Sequence, residues 1–478
     1  MQNFIIFFFG FFLVSRFFSE ILRVIPKWVD VFDMPIILLL LFFSFFRYPN
    51  LDIDQEEHRH FVRSVFALCI IIFVSSLVNL KELFEPAALL FAVGILSGPF
   101  LVIILNKFVD DVQLFPSQIY KLFVVLFFIN IIIVSLIDIP RFQSTLDPDV
   151  FSGTFGLNAY QFSIFLIISG GLILGKFVEG KVGLVLLICS HVFIFFTFVL
   201  LQYRAALPFF ISSYALMCIT LFGRKILKSV VIGSVILLFF TSIIYLSIIP
   251  EEGRKVLKYD SWIYILQDPG KFLKYGKFQG YPQTAKLIKS SPVTALVGVG
   301  PGNFMSRAYN TFGEEYTAYK KSKKGVGNLI QKWFGLKGPR QTSVNKHYLG
   351  KIKGEVVLGT YQLSNPNSSY LAIIAEIGLV GGAIIFMLYL YVFRRSLKLI
   401  RIAKTHCTEL LPFATALVGS ISYLIQLAFL ENYWEMTRAT LPVWLLFWIT
   451  SAGIFAKLHN KRAPEDTENA DENMIIPR

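Results

Sequence analysis

Charged side chains are scarce in this 478-residue sequence. They make up 16% of the residues, whereas hydrophobic residues make up 55%, and soluble domains carry about 25% charged residues. Apolar runs of about 18 to 22 residues recur along the chain, which is the length needed to cross a bilayer core as a helix. The runs are continuous rather than alternating, which argues against transmembrane β-strands. The composition therefore predicts an all-α polytopic membrane protein.

Cysteine is also rare. Cys69, Cys189 and Cys218 fall within apolar runs, Cys407 lies in a basic connector, and none falls within the long polar segment at 250–366. This distribution argues against a disulfide framework, and no Cys/His spacing typical of a metal site is present. We therefore predict neither a metal ion nor another cofactor.

The apolar runs predict about twelve transmembrane helices. Residues 1–249 would contain nine of them, 250–366 would form one large, helical external loop, 367–456 would contain the last three, and 457–478 would be a disordered cytoplasmic tail. The predicted spans are 4–20, 34–46, 62–79, 87–106, 120–138, 158–175, 182–201, 205–222, 229–249, 368–393, 410–430 and 439–456.

The short connectors predict the orientation. Alternate connectors are rich in Lys and Arg, for example 223–228 and 394–404, and basic connectors of this length are usually cytoplasmic. Both termini would then be cytoplasmic. The loops at 139–157 and 250–366, together with Arg204, would lie on the opposite face of the membrane.

The long loop carries most of the net charge. Residues 250–366 contain 19 Lys and Arg against 7 Asp and Glu, which accounts for +12 of the chain's +14. A basic external loop beside a bilayer suits an anionic partner, such as a phosphate-bearing lipid or an acidic glycan. The alternative is a solvated basic surface without a ligand.

Four motifs lie on the predicted external side. The loop contains Gly-Val-Gly-Pro-Gly-Asn-Phe at 298–304, and Asn-Ser-Ser-Tyr-Leu-Ala-Ile-Ile-Ala-Glu-Ile-Gly follows at 367–378. Gly-Thr-Phe-Gly-Leu-Asn occupies 153–158, and Gln-Tyr-Arg-Ala-Ala occupies 202–206. In order and spacing, these motifs resemble the bacterial O-antigen ligase / O-antigen polymerase family over roughly residues 130–455.

The resemblance implies a membrane glycosyltransferase of the C type, with a helical bundle and a periplasmic catalytic loop, in the bacterial inner membrane. The donor would be a glycan on undecaprenyl pyrophosphate, and the reaction would need no metal. A polymerase transfers the glycan to another lipid-linked repeat unit, whereas a ligase transfers it to lipid A-core. A chain-length regulator is a further possible partner.

Arginines are the candidates for binding the pyrophosphate leaving group, because a guanidinium fork matches phosphate oxygens. Arg204 lies on a short turn at the predicted membrane edge, and we expect it to stabilise the developing charge. The alternative is an interfacial arginine that only snorkels. Arg141, Arg307 and Arg340 are secondary candidates, each of which could equally be a surface charge.

The general base is open, because this sequence has Asn367 where the ligases have histidine, and asparagine cannot take up a proton at neutral pH. His347 is one candidate, although a solvated loop histidine is the simpler interpretation, and Glu314 and Glu315 in the same loop are others. Glu376 is another, because a carboxylate among apolar residues in a membrane helix is costly and usually functional. A structural role for Glu376 is as plausible. The remaining candidate substrate-binding residues are Asn158, Gly300, Asn303, Asn367 and Tyr370.

The missing ligase histidine favours a polymerase of lipid-linked repeat units, with a ligase as the alternative. A transporter or flippase of lipid-linked oligosaccharide is a third hypothesis from a different class, since twelve spans and a cationic face would suit it. The sequence lacks the pair of broken helices in corresponding halves that such transporters often have. No feature of the sequence supports a purely structural scaffold.

Overall fold

The fold is a bundle of apolar helices. The computed structural model describes residues 2–25, 33–47, 55–145, 150–156, 159–201, 206–223, 233, 280–312, 342–344, 347 and 368–472. Within these residues the regular elements are helical, and no strand occurs. The prediction of an all-helical chain is confirmed for these residues, and their long apolar helices are consistent with a polytopic membrane protein.

Fifteen α-helices are described. In chain order, α1 to α15 span Gln2–Arg16, Asp33–Ser44, Gln55–Val78, Glu85–Phe108, Leu114–Ile133, Ile139–Thr145, Ala159–Val178, Leu184–Leu200, Leu207–Phe222, Gly280–Ile288, Pro292–Val297, Arg307–Phe312, Ser369–His406, Leu411–Leu427 and Thr437–Glu472. Two π-helical segments, Phe17–Ile21 and Val134–Asp138, extend α1 and α5, and 3₁₀ turns cover Gly153–Phe155 and Thr408–Leu410.

Eight helical stretches of the described chain are long and apolar enough to cross a membrane. They contain α1, α3, α4, α5, α7, α13, α14 and α15. Three further predicted spans correspond to α2, α8 and α9, which have 12, 17 and 16 residues and are shorter than the roughly 20 residues that a perpendicular crossing needs. The predicted span at 229–249 lies outside the described residues apart from Gly233. The count of twelve therefore stays a prediction.

Helix α14 lies at the centre of the bundle. It packs against α7, α9, α13 and α15, and nearly all of its side chains are buried. Its closest approach is to α7, because a Cβ atom at Gly171 would lie 2.5 Å from the Cα atom of Ala416. Small residues allow such close backbone contact, and van der Waals packing of this kind drives helix association where lipid offers no hydrophobic gain.

The contacts separate the two ends of the bundle. At one end Arg47 pairs with Asp110 at 2.8 Å, and Lys404 donates to the carbonyl of Leu221 at 2.6 Å. These residues belong to connectors or helix ends on the side that the sequence predicts to be cytoplasmic. The glycine-rich segment at 298–306 lies at the other end, against the C-terminus of α3 and the N-terminus of α4. The grouping of helix ends agrees with the alternation of connectors, whereas the orientation in a membrane stays a prediction.

Candidate functional site

The helical geometry of α13 is interrupted at Gly378, nine residues after the helix begins. The glycine-rich segment at 298–306 packs against this interruption. Gly378 has φ +74° and ψ −179°, which is a conformation that only glycine adopts without strain. Just before it, the carbonyls of Ala375 and Glu376 accept the N–H groups of Val299 and Gly300, each at 3.0 Å. The motifs at 298–304 and 367–378 therefore form one structural unit.

The Glu376 side chain is the centre of this unit. Its carboxylate is fully buried. One oxygen accepts the N–H of Gly302 at 2.5 Å, and the other accepts those of Phe304, Met305 and Ser306 at 3.1, 3.0 and 2.8 Å. We call this arrangement the Glu376 nest. Four donors compensate a charge that burial would otherwise make very costly.

The nest explains the glycines of the motif. Gly298, Gly300 and Gly302 have φ of +75°, +96° and +72°, the left-handed region in which side chains are strained. A Cβ atom at Gly302 would also lie 2.6 Å from that of Ala87. The sequence predicts Gly300 to be a substrate-binding residue. In the structure, four N–H groups of the segment donate to the Glu376 carboxylate, and that of Gly300 donates to the Glu376 carbonyl.

Helix α3 closes the unit from the other side. The Ser75 hydroxyl lies 2.6 Å from the carbonyl oxygen of Val297 and 3.0 Å from that of Glu376. The Asn79 side chain donates to the carbonyl of Gly298 at 3.3 Å. These two residues connect a helix near the N-terminus to both motifs.

A second buried carboxylate, that of Glu435, binds the next backbone N–H group along the chain after those bound by Glu376. It lies between α14 and α15 and accepts the N–H of Arg307 at 3.0 Å, directly after the last N–H bound by Glu376. The Asn432 side chain donates to its other oxygen. Burial, together with the nearby Glu376 carboxylate, raises the pKa of Glu435 well above its ordinary range.

Arg307 begins α12 beside this second acid. Its Nε donates to the carbonyl of Asn432, and its guanidinium carbon lies 5.1 Å from the centre of the Tyr433 ring. A cation over an aromatic face is attracted by the ring quadrupole. The guanidinium is therefore held in a defined orientation by residues 432 and 433.

The Asn-Ser-Ser-Tyr motif fastens the turn that carries Asn432 and Glu435. The Ser369 hydroxyl donates to the carbonyl of Glu431 at 3.0 Å and accepts the N–H of Tyr433 at 3.0 Å. The hydroxyl of Tyr370 donates to the carbonyl of Ile425 at 3.0 Å. Ser369 and Tyr370 thus bind the chain itself, and Asn367 lies outside the described residues.

The Gly-Thr-Phe-Gly motif is held in a similar way by the end of α5. Asp138, in the π-helical segment, accepts the N–H groups of Ser152 and Gly153 at 3.2 and 2.9 Å. Asn130 accepts the N–H of Thr154 at 2.8 Å. Arg141 lies one helical turn beyond Asp138. Two motifs of the resemblance are therefore shaped by a buried acid on a neighbouring helix.

The structure brings together five of the sequence-predicted residues: Gly300, Asn303, Arg307, Tyr370 and Glu376. Asn303 is fully buried, and its amide donates to the carbonyl of Val299 at 3.0 Å. Arg141 lies with the other motif, and His347 is exposed. Arg204, Asn158, Arg340 and Asn367 lie outside the described residues.

Sequence reasoning missed Glu435, Asp138 and Ser75. Glu435 and Asp138 lie at the ends of apolar runs, where acids are usually solvated, and Ser75 is one of many small residues in a span. Their only sequence signal is position, because each falls at the end of the bundle that carries the glycine-rich segment or the Gly-Thr-Phe-Gly motif.

The contact between Gly378 of α13 and Leu296 of α11 can be tested by substitution. A Cβ atom at Gly378 would overlap the carbonyl oxygen of Leu296. We therefore expect Gly378→Ala to cost on the order of 3 kcal/mol or more, from the backbone strain and the overlap combined. Thermal unfolding in detergent measures this effect.

Gly180 provides the matched control, because it also has positive φ (+79°) but has no atom within 4 Å of the added Cβ. Gly180→Ala should lose only the strain, about 1 kcal/mol. Equal losses in the two variants would show that Leu296 does not pack against the break.

Comparison with known proteins adds no relative. No protein-family model matches this chain, and no curated protein matches it significantly.

Proposed function

We propose that this protein is a membrane glycosyltransferase that polymerises undecaprenyl-pyrophosphate-linked oligosaccharide units on the periplasmic face of a bacterial inner membrane. One observation carries the proposal most directly. The two motifs that resemble the O-antigen ligase / polymerase family most clearly lie about 70 residues apart in sequence but form one unit around Glu376. Arg307 is positioned at the edge of that unit.

The reaction requires an acceptor hydroxyl to attack the anomeric carbon of the donor glycan. The hydroxyl loses its proton, the bond from the anomeric carbon to the pyrophosphate oxygen breaks, and negative charge develops on the phosphate. Arg307 is suited to stabilise this charge because its guanidinium is held against Tyr433 and Asn432. Arg204, from the hairpin predicted on the same face, is the proposed partner.

The geometry also narrows the choice of proton acceptor. Glu376 binds four backbone N–H groups, and taking up a proton would weaken those bonds. We therefore assign Glu376 to holding the segment rather than to proton transfer. His347 is exposed and lies in the loop, so it is the better candidate for the base.

The experiment is the glycan pattern of a strain that lacks this protein. For a polymerase, single repeat units should still be attached to lipid A-core while longer chains disappear, and the gene on a plasmid should restore the ladder. Loss of all core-linked glycan, with long chains accumulating on undecaprenyl, would instead identify a ligase.

A purified protein separates the enzyme from a transporter. Incubated in detergent with lipid-linked repeat units and no gradient, the proposed polymerase should form longer glycans. A flippase would leave the units unchanged, and this result would overturn the proposal.

A further inference from the structure

Helix α11 is wedged between two membrane-length helices. Its last residue, Val297, receives a hydrogen bond from Ser75 of α3. Its Leu296 carbonyl packs on Gly378, at the break in α13. Ser75 lies less than one turn before the end of α3, and Gly378 lies nine residues inside α13. The contacts therefore place α11 at the level of the helix ends rather than above the bundle.

One side of α11 is apolar and exposed. Val293 is 54% exposed and Leu296 is 55% exposed. Leu379 and Val380, directly after the break in α13, are also exposed at 48% and 37%. The apolar side of α11 thus continues the apolar surface of a helix of membrane-spanning length.

The segment just before α11 is basic rather than apolar. Lys286 and Lys289 are exposed near the end of α10, a few residues before Val293. Lysines beside an apolar helix face are the arrangement of elements that lie in the membrane interface, where cations meet anionic headgroups.

The N–H groups of the irregular backbone after α11 are hydrogen-bonded within the protein, as a position near the bilayer core requires. Between 298 and 306 the chain is not helical, and irregular backbone near hydrocarbon is tolerated only when its polar groups are satisfied within the protein. The N–H groups of Val299, Gly300 and Gly302 each bind α13, as do those of residues 304–306.

We propose that residues 292–306 form a re-entrant element at the boundary between headgroups and acyl chains, with Val293 and Leu296 in contact with bilayer lipid. The bulk bilayer, rather than another protein, is the occupant of this face, because the apolar surface is continuous with that of α13 and the flanking lysines match anionic headgroups. The inference goes beyond glycan transfer and holds whether or not that reaction is correct.

Spin labelling tests the depth. Val293→Cys and Leu296→Cys are labelled with a nitroxide after the four native cysteines have been replaced by serine. The protein is reconstituted into vesicles of phosphatidylcholine and phosphatidylglycerol, and collision rates with oxygen and with a water-soluble nickel chelate are compared. Oxygen concentrates in the hydrocarbon, whereas the chelate stays in water.

Two control positions give reference collision rates for lipid and for water. Leu379→Cys reports the lipid-facing side of α13, and Lys289→Cys reports the aqueous side near α10. Labels at 293 and 296 should collide mainly with oxygen, as the label at 379 does, whereas the label at 289 should collide mainly with the chelate.

Two results would overturn the inference. Labels at 293 and 296 that collide mainly with the chelate would place α11 in water. Labels that collide with neither reagent would show that another part of the chain covers this face.

Discussion

Replacing Glu376 by glutamine is expected to disrupt the segment at 298–306 and to destabilise the whole protein. The amide has the shape of the carboxylate, but its NH₂ group would face backbone N–H donors that now bind an oxygen. Four charge-assisted hydrogen bonds would be lost or weakened inside the protein, and such bonds each contribute about 1.5–3 kcal/mol. Since some would re-form to the remaining oxygen, we expect a net loss on the order of 3–5 kcal/mol.

Thermal unfolding in detergent measures this loss, and limited proteolysis within 298–306 reports it locally. Glu82→Gln is the control, because Glu82 lies at the same end of the bundle and binds the Ser343 hydroxyl at an exposed position. That variant should be nearly neutral. A Glu376→Gln protein that is fully stable but inactive would contradict the holding role and would place Glu376 in the chemistry.

The helices were predictable because lipid imposes a simple rule. A span must be long, apolar and fully hydrogen-bonded within itself, so hydropathy alone locates it. The predicted span at 87–106 corresponds to Glu85–Phe108, and the one at 410–430 corresponds to a helical stretch over 408–427. Helices α2, α8 and α9 also lie where predicted, with 12, 17 and 16 described residues.

The site was only partly predictable. The apolar neighbours of Glu376 marked it as unusual, since a buried charge needs compensation. Its partners could not be inferred, because they are backbone N–H groups, which every residue except proline carries. The glycines at 298, 300 and 302 hinted at an unusual backbone, but the same pattern fits a ligand loop and an internal carboxylate equally well.

The same reasoning applies to Asp138. Its acceptor role depends on the π-helical segment at Val134–Asp138 and on the return of the chain at 152–153, and neither has a sequence signature. In both places a helix supplies an acid and a glycine-containing turn supplies the donors. In both places a buried acid therefore shapes a motif of the chain by binding its backbone N–H groups.

Substituting Arg307 is expected to reduce glycan transfer more than stability. Arg307→Ala removes the guanidinium but leaves the backbone N–H that binds Glu435. If the side chain stabilises the pyrophosphate leaving group, we expect the transfer rate to fall about 100- to 1,000-fold, the effect typical of losing one donor to a developing charge. We expect a smaller loss of stability. The hydrogen bond to Asn432, the contact with Tyr433 and the attraction between the guanidinium and Glu435 are among the interactions lost, whereas the backbone N–H bond to Glu435 remains.

Two further variants sharpen the interpretation. Arg307→Lys keeps the charge but loses the planar fork, so it should recover part of the rate and not all of it. Lys289→Ala removes an exposed cation of the same loop and should leave transfer by the purified protein close to the unmodified rate. If Arg307→Ala and Lys289→Ala lower the transfer rate by the same small factor, Arg307 contributes only to the general positive field of the loop. A selective loss of transfer at Arg307, with a smaller loss of stability, would instead support an anionic substrate group within reach of its guanidinium, next to the Glu376 nest.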